Sequence, residues 1–266
     1  MNAPSLTPAD LALAAALVLA SAGLSLLLDF RIHRPMVVAS LRMVAQLLLV
    51  GQVLRIVFRI GHPIVTLAVL AVMAAAVVYE VGARPERRLA GLWHYMAGGL
   101  PTVVCGFAIV VLALLTALSP SPWYDARVAI PLAGIILGNV MNAVSLALNV
   151  FFSAAVRERG AIEARLALGA TKGQALHGVS TQALRTALIP TINQMAAAGI
   201  ITLPGIMTGQ LLAGMDPIGA AKYQILLMGL MLSGSFAGAL LALKLAATRL
   251  TDDRHRLRLD RLRPRG

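Results

Sequence analysis

Amide and hydroxyl side chains recur along an apolar segment in the middle of the chain. They stand at i, i+3, i+6 and i+10, namely Asn139, Asn142, Ser145 and Asn149. On an α-helix this spacing places them on one face. Polar groups at membrane depth usually line a water-filled path or the bundle interior, so one interpretation is a wall of a translocation pathway. Interhelical hydrogen bonds, worth about 0.6 kcal/mol each, explain the same pattern, and the spacing leaves both open.

A second apolar segment combines polar residues with a helix-breaking pair. Asn193, Thr208 and Gln210 could hydrogen-bond a solute, and Pro204 with Gly205 stands between them. Proline removes a backbone hydrogen bond and glycine loosens the turn, so we expect this helix to kink or break near residue 201. A broken helix at membrane depth frees carbonyl groups and helix ends for ligands. A simple structural kink is an equal alternative.

The polar stretch between these segments, residues 157–176, predicts a short amphipathic helix interrupted by a glycine turn. Ile162, Leu166 and Leu176 follow helical spacing, with glycines at 169 and 173 and charged residues off that face. This pattern is typical of a cytoplasmic docking element. A helix lying on the lipid surface is the alternative.

Motifs for catalysis by this chain are absent from the sequence. None of its three lysines lies in a phosphate-binding P-loop, its five histidines include no pair at i, i+4, and no nucleophile elbow occurs. A single cysteine, Cys105, excludes a disulfide framework. No Asp or Glu lies near the middle of an apolar segment, so metal ligands stay unknown. We expect no enzyme activity and no cofactor bound by this chain.

The elements that carry these residues are membrane-spanning helices. The 266 residues are 59% hydrophobic and 13% charged, whereas soluble domains carry about a quarter charged residues, and the mean hydropathy is +0.82. Crossing a bilayer takes roughly 20 apolar residues. We therefore predict an all-α polytopic bundle, with residues 1–266 forming one transmembrane domain of seven spans at about 9–28, 36–54, 63–81, 95–118, 129–151, 188–212 and 223–247.

Basic residues between the spans predict the orientation. With the N-terminus outside, the cytoplasmic segments hold 17 of the 23 Lys and Arg residues. This agrees with the rule that cytoplasmic loops of membrane proteins carry an excess of Lys and Arg. The tail, residues 248–266, is then basic and cytoplasmic. The net charge is +12, and the basic residues lie next to apolar segments. This position indicates that they contact lipid headgroups and cytoplasmic partners rather than nucleic acid.

The polar stretch also resembles a known coupling motif. Glu163-Ala164-Arg165, followed after three residues by Gly169-Ala170-Thr171, is similar to the EAA-type motif of ABC transporter permeases. The Leu-Pro of that motif arrives later here, at Ile189-Pro190. The resemblance implies that these six residues contact a cytoplasmic ATPase subunit.

A broader resemblance covers nearly the whole chain. Five motifs resemble the FetB-type permease family: residues 42–51, 138–149, 187–193, 203–210 and Asp216-Pro217. The family implies a homodimeric membrane domain with a separate ATPase subunit that binds ATP and Mg. Its bacterial members are linked to iron export, and its plant relatives to aluminium tolerance and nucleotide-sugar transport.

These observations together predict the permease subunit of an ABC transporter in the bacterial inner membrane, exporting iron or another metal-linked solute. The iron assignment depends on the resemblance alone. Two alternatives stay open: a permease for a nucleotide sugar, and a self-sufficient channel or secondary transporter, for which the intramembrane amides would suffice.

Overall fold

A computed structural model of the chain describes residues 7–252, 254 and 256–264. The ends of the predicted domain 1–266 and parts of the predicted basic tail 248–266 lie outside the described residues. The described chain is mostly α-helical and divides into two compact units, with the boundary between His62 and Pro63.

The first unit contains two helices that pack against each other, α1 (Pro8–Leu27) and α2 (His33–Ile60). Thr7 caps α1: its hydroxyl accepts the backbone N–H of Asp10, whose carboxylate accepts the N–H of Thr7 at 2.8 Å. Such a reciprocal pair satisfies helix-terminal donors that have no partner inside the helix. Helix α2 continues past the predicted span 36–54 and ends at Ile60; the next residue, Gly61, has the left-handed φ of a helix C-cap, +60°.

The second unit is a bundle around α5. Its helices are α3 (Pro63–Ala83), α4 (Trp93–Leu115), α5 (Ala126–Arg157), α6 (Arg159–Ala167), α7 (Lys172–Ala197), α8 (Gly205–Leu212) and α9 (Pro217–Arg249). Helix α5 packs against α3, α4, α7 and α9, and its apolar residues Ile136, Val140 and Val144 are fully buried. The core of the unit therefore lies along α5.

Glycines bring α9 close to α5. A Cβ at position 234 would lie 3.0 Å from Cγ2 of Val140, and one at position 238 would lie 2.6 Å from its Cγ1. Carbon atoms in contact normally lie about 3.5–4.0 Å apart. The spacing of Gly234 and Gly238 thus serves close packing between helices of this chain.

Among the residues that the structure describes, six helices are long and apolar enough to cross a membrane: α1 to α5 and α9. The prediction of an all-α membrane bundle is confirmed. The predicted span 188–212 is divided, because α7 ends at Ala197 and α8 begins at Gly205. Helix α7 also begins at Lys172, well before the apolar window. The count of seven spans stays a prediction.

The connections at one end of the second unit form a small two-stranded sheet. Strand β1 (Arg87–Leu89) lies between α3 and α4 and pairs antiparallel with β2 (Leu262–Pro264) of the tail. We call this end, where α3, α5 and α9 finish, the basic end. The pairing continues at Ala90, whose N–H donates to the carbonyl of Arg261 at 2.8 Å.

Charged contacts hold the tail in this position. The guanidinium of Arg249 lies 4.9 Å from the ring centroid of Trp93, within the range of a cation–π interaction. Arg261 Nη1 donates to the carbonyl of Arg249 at 2.7 Å. Hydrogen bonds from Arg258 lower the pKa of Asp260 to about 2, so this pair is charged at neutral pH.

Candidate transport groove and coupling segment

A polar groove lies between α5 and α7. Its volume is about 270 Å³, and its lining comes from both helices: Asn139, Asn142, Ala143 and Leu146 of α5, and Ala187, Pro190, Thr191 and Gln194 of α7. The α7 residues follow the helical spacing i, i+3, i+4, i+7. Three amides and one hydroxyl therefore face a common space, and we call this space the α5/α7 groove.

A guanidinium from the end of α3 contacts this groove. Arg84 Nη1 donates to Oδ1 of Asn142 at 2.6 Å, and Arg84 Nε lies 3.7 Å from Oε2 of Glu80. The sequence prediction missed Arg84, although the i, i+4 spacing of Glu80 and Arg84 is a signal for an ion pair on one helix. This pair places a charged donor against an amide of the groove.

The other members of the predicted α5 face have different environments. Asn149 accepts the backbone N–H of Glu86 at 3.1 Å and so fixes the connection before β1. Asn139 donates to the carbonyl of Ile135 at 2.9 Å and contacts the sulfur of Met231 on α9 at 3.1 Å. Ser145 is buried, and its hydroxyl has no partner among the described residues. Only Asn139 and Asn142 of the four line the groove.

The residues predicted in the second polar segment do not line the groove. Asn193 is exposed on α7. Thr208 on α8 donates to the carbonyl groups of Leu203 and Pro204 at 3.4 and 3.3 Å. The Oε1 atom of Gln210 is buried and has no partner among the described residues. Thr191 and Gln194, which the sequence prediction did not select, lie in the groove instead.

The chain leaves helical geometry between α7 and α8, just before Pro204 and Gly205. Gly199 has φ +83°, and its N–H donates to the carbonyl of Thr202 at 2.9 Å. The side chains of Ile200 and Ile201 in this break are 89% and 81% exposed. Their exposure leaves apolar surface that a bilayer or another chain would have to cover.

No group of three or more His, Cys, Asp or Glu side chains forms a metal-ligand set within residues 7–252, 254 and 256–264. The side chains that line the α5/α7 groove supply amide and hydroxyl groups. These groups can both donate and accept hydrogen bonds.

Helix α6 lies at the basic end, with one face packed against the core and the other exposed. Ile162 is 1% exposed and Leu166 packs against the core. Arg165 Nη1 donates to the carbonyl of Ala175 at 3.4 Å and so ties α6 to α7. Ala164 is exposed, and Leu168, just after the helix, is 88% exposed. The segment therefore presents an apolar surface beside charged residues.

A glycine turn joins α6 to α7. Gly169 has φ +89°, and the N–H of Ala170 donates to the carbonyl of Arg165 at 3.0 Å, closing the end of α6. Thr171 then caps α7: its N–H donates to Oε1 of Gln174 at 2.9 Å. Glu163 lies apart from the turn, with Oε1 2.8 Å from Nε of Arg159 in its own helix.

Comparisons with known proteins agree with the motifs. The model of the family described as "Uncharacterised protein family (UPF0014)" matches residues 8–251. A UPF0014 membrane protein of Synechocystis sp. is 42% identical over 194 residues, which are 72% of this chain and 73% of the relative.

Two further relatives cover most of the chain. "Probable iron export permease protein FetB" of Escherichia coli is 30% identical over 263 residues, 99% of each chain. "Protein ALUMINUM SENSITIVE 3" of Arabidopsis thaliana is 29% identical over 224 residues, 84% of this chain and 80% of its own. No solved structure matches this chain. The resemblance inferred from the motifs is confirmed, and the protein belongs to the UPF0014 family of membrane proteins.

Proposed function

We propose that this protein is the membrane-spanning permease subunit of an ATP-driven ABC transporter. A separate cytoplasmic ATPase, which binds ATP and Mg, docks on residues 157–176, and two copies of this chain form the membrane domain. The proposed ATPase contacts are Glu163, Ala164, Arg165, Gly169, Ala170 and Thr171. The chain itself then carries out no catalysis.

One observation carries this proposal: α7 is continuous from the coupling segment to the groove. The helix begins immediately after the cap at Thr171 and contains Pro190, Thr191 and Gln194, which line the groove. From Thr171 to Pro190 the rise is about 28 Å at 1.5 Å per residue. A displacement at the turn would therefore reach the groove through one continuous helix.

For the substrate we propose iron or another metal-linked solute, moved outward. Support comes from the full-length similarity to the Escherichia coli relative, whose name describes iron export. The polar lining of the groove suits a solute that keeps hydrogen-bonding groups around the metal. A nucleotide sugar is the alternative substrate.

Vesicle transport tests the proposal. The chain is reconstituted with an ATPase subunit, and uptake of ferrous iron into inside-out vesicles is compared with and without ATP. We expect ATP-dependent uptake that needs both subunits. Transport without the ATPase would instead support a self-sufficient channel or secondary transporter.

We propose the inner membrane as the location, with the N-terminus outside and the basic end cytoplasmic. The excess of basic residues at that end supports this orientation. A cysteine introduced at the exposed Arg256, in a Cys105→Ala background, should resist an impermeant thiol reagent on intact cells and react after permeabilisation. Efficient labelling of intact cells would reverse the orientation.

Two asparagines of α5 should respond differently to replacement by leucine. Asn142→Leu removes the acceptor of Arg84 in the groove, so we expect transport to fall about tenfold with normal amounts of folded protein. Asn149→Leu leaves the N–H of Glu86 without its acceptor, which costs about 1–3 kcal/mol if that group stays dry. This variant should mainly lose thermal stability.

The measurements are the rate of ATP-driven transport per folded complex and the melting temperature in detergent. Asn193→Leu is the matched control, because its side chain is exposed outside the groove. Normal transport by Asn142→Leu would show that the α5/α7 groove is not part of the translocation pathway.

A further inference from the structure

A second groove lies between α7 and α9, near the basic end. Its volume is about 320 Å³, and ten residues line it: Gly173, Leu176, His177, Ser180, Thr181, Leu184, Leu240, Leu243, Lys244 and Ala247. We call it the α7/α9 groove. It shares no lining residue with the α5/α7 groove.

The charge in this groove is Lys244. It is the single charged residue of α9 between Lys222 and Arg249, and it precedes Arg249 by about 7.5 Å along the helix axis. No Asp or Glu lines the groove. Within the part of the chain that the structure describes, Lys244 makes no ion pair. A lysine at this depth is costly unless an anion or the interface receives its charge.

Helix α7 adds hydrogen-bond donors to the same space. His177, Ser180 and Thr181 stand at i, i+3 and i+4, which places them on one face of α7. Their side chains make no hydrogen bond to any described residue. Two hydroxyls, an imidazole and an ammonium thus line one groove, and none of them has a hydrogen-bond acceptor among the described residues. Such a set of donors suits the oxygens of a phosphate group.

The remaining lining is apolar. Leu176, Leu184, Leu240 and Leu243 form the walls. A free phosphate ion would gain nothing from these walls, whereas an acyl chain would be favoured by about 0.8 kcal/mol per buried CH₂. Gly173 leaves space at the polar end, because a Cβ there would have no atom within 4 Å.

We propose that the α7/α9 groove binds one anionic phospholipid. Its phosphate accepts hydrogen bonds from Lys244, Ser180 and Thr181, and an acyl chain lies along the leucines. The site begins at the first turn of α7, within the proposed docking stretch 157–176. A lipid held there links the start of α7 to α9. The inference is independent of the proposed substrate.

Native mass spectrometry of the purified full chain tests this site. The protein is exchanged into detergent with mixed phosphatidylglycerol and phosphatidylcholine, and the lipid retained per chain is counted. We expect one phosphatidylglycerol per chain, retained at least fivefold over phosphatidylcholine. Lys244→Met should lose this preference, while Lys222→Met on the same helix should keep it. Equal retention by wild type and Lys244→Met would overturn the site.

A second variant separates a built site from a lysine whose charge merely reaches the interface. Ser180→Ala combined with Thr181→Val keeps Lys244 but removes two phosphate donors, and we expect at least a threefold loss of retained phosphatidylglycerol. Unchanged retention would contradict the site. Inorganic phosphate at millimolar concentration should not displace the lipid, and full displacement would show that the groove binds phosphate alone. Gel-filtration profiles at matched expression confirm that each variant is folded.

Discussion

Replacing Gly169 with valine should abolish most ATP-driven transport, with a loss of at least tenfold. The residue has φ +89°, a conformation that β-branched residues almost never adopt, and such strain costs about 1–3 kcal/mol. The turn between α6 and α7 would shift to relieve it. The measurements are co-purification of the ATPase and transport in vesicles at matched expression.

The controls separate strain from obstruction. Gly160→Val lies in α6 with no positive φ and no atom within 4 Å of its Cβ, so it should retain far more activity. Asparagine at position 169 tolerates a left-handed conformation, and a Cβ there has no atom of this chain within 4 Å. Activity in Gly169→Asn identifies strain as the cause. Loss in Gly169→Asn identifies a close approach of the ATPase.

Glu163→Gln should reduce ATPase binding and transport less than Gly169→Val does. The ion pair of Glu163 with Arg159 is exposed and worth at most about 1 kcal/mol. Full ATPase binding and full transport by Gly169→Val would contradict the docking proposal. The channel or secondary-transporter hypothesis would then be favoured.

Replacing Gly238 with valine should greatly reduce the amount of folded protein. A Cβ there would lie 2.6 Å from Cγ1 of Val140 and 3.3 Å from Cγ2 of Val144. Helix α9 would have to move away from α5, and overpacking of this kind costs about 1–3 kcal/mol or more. The measurement is the monodisperse fraction after heating in detergent.

Gly229→Val on the same helix is the matched control, since a Cβ there has no atom within 4 Å. A double-mutant cycle adds a second test. Gly238→Ala should destabilise the wild-type protein more than it destabilises Val140→Ala, where the clashing methyl group is gone. Equal effects in both backgrounds would show that α9 does not depend on this contact.

Hydropathy predicted the long helices because an apolar segment can be identified from its own residues, without knowledge of what packs against it. Helix α7 was harder, since its first half, from Lys172, is too polar for a span and the helix continues from it into the apolar part. Packing against the core, through Ala175, Leu176 and Val179, holds that polar half in place. Hydropathy alone does not report such packing.

Only the α5 side of the α5/α7 groove was predicted from the sequence. Periodicity placed Asn139 and Asn142 on a common face of α5, but it could not identify which helix faces them. The position of Thr191, Gln194 and Arg84 at this groove therefore emerged only from the structure. Asn149 shares the face but binds the backbone of Glu86, because the face turns toward a different neighbour farther along the helix.

The pairing of β1 with β2 constrains the order in which the chain can be completed. Synthesis runs from the N-terminus, so β1 is made early, while β2 leaves the ribosome after every helix of the second unit. Closing contacts between such distant segments is entropically slow. A chain made only as far as the end of α9 therefore carries helices α1 to α9 but leaves β1 without its partner strand, and the unpaired edge of β1 exposes backbone N–H and C=O groups that another strand could bind.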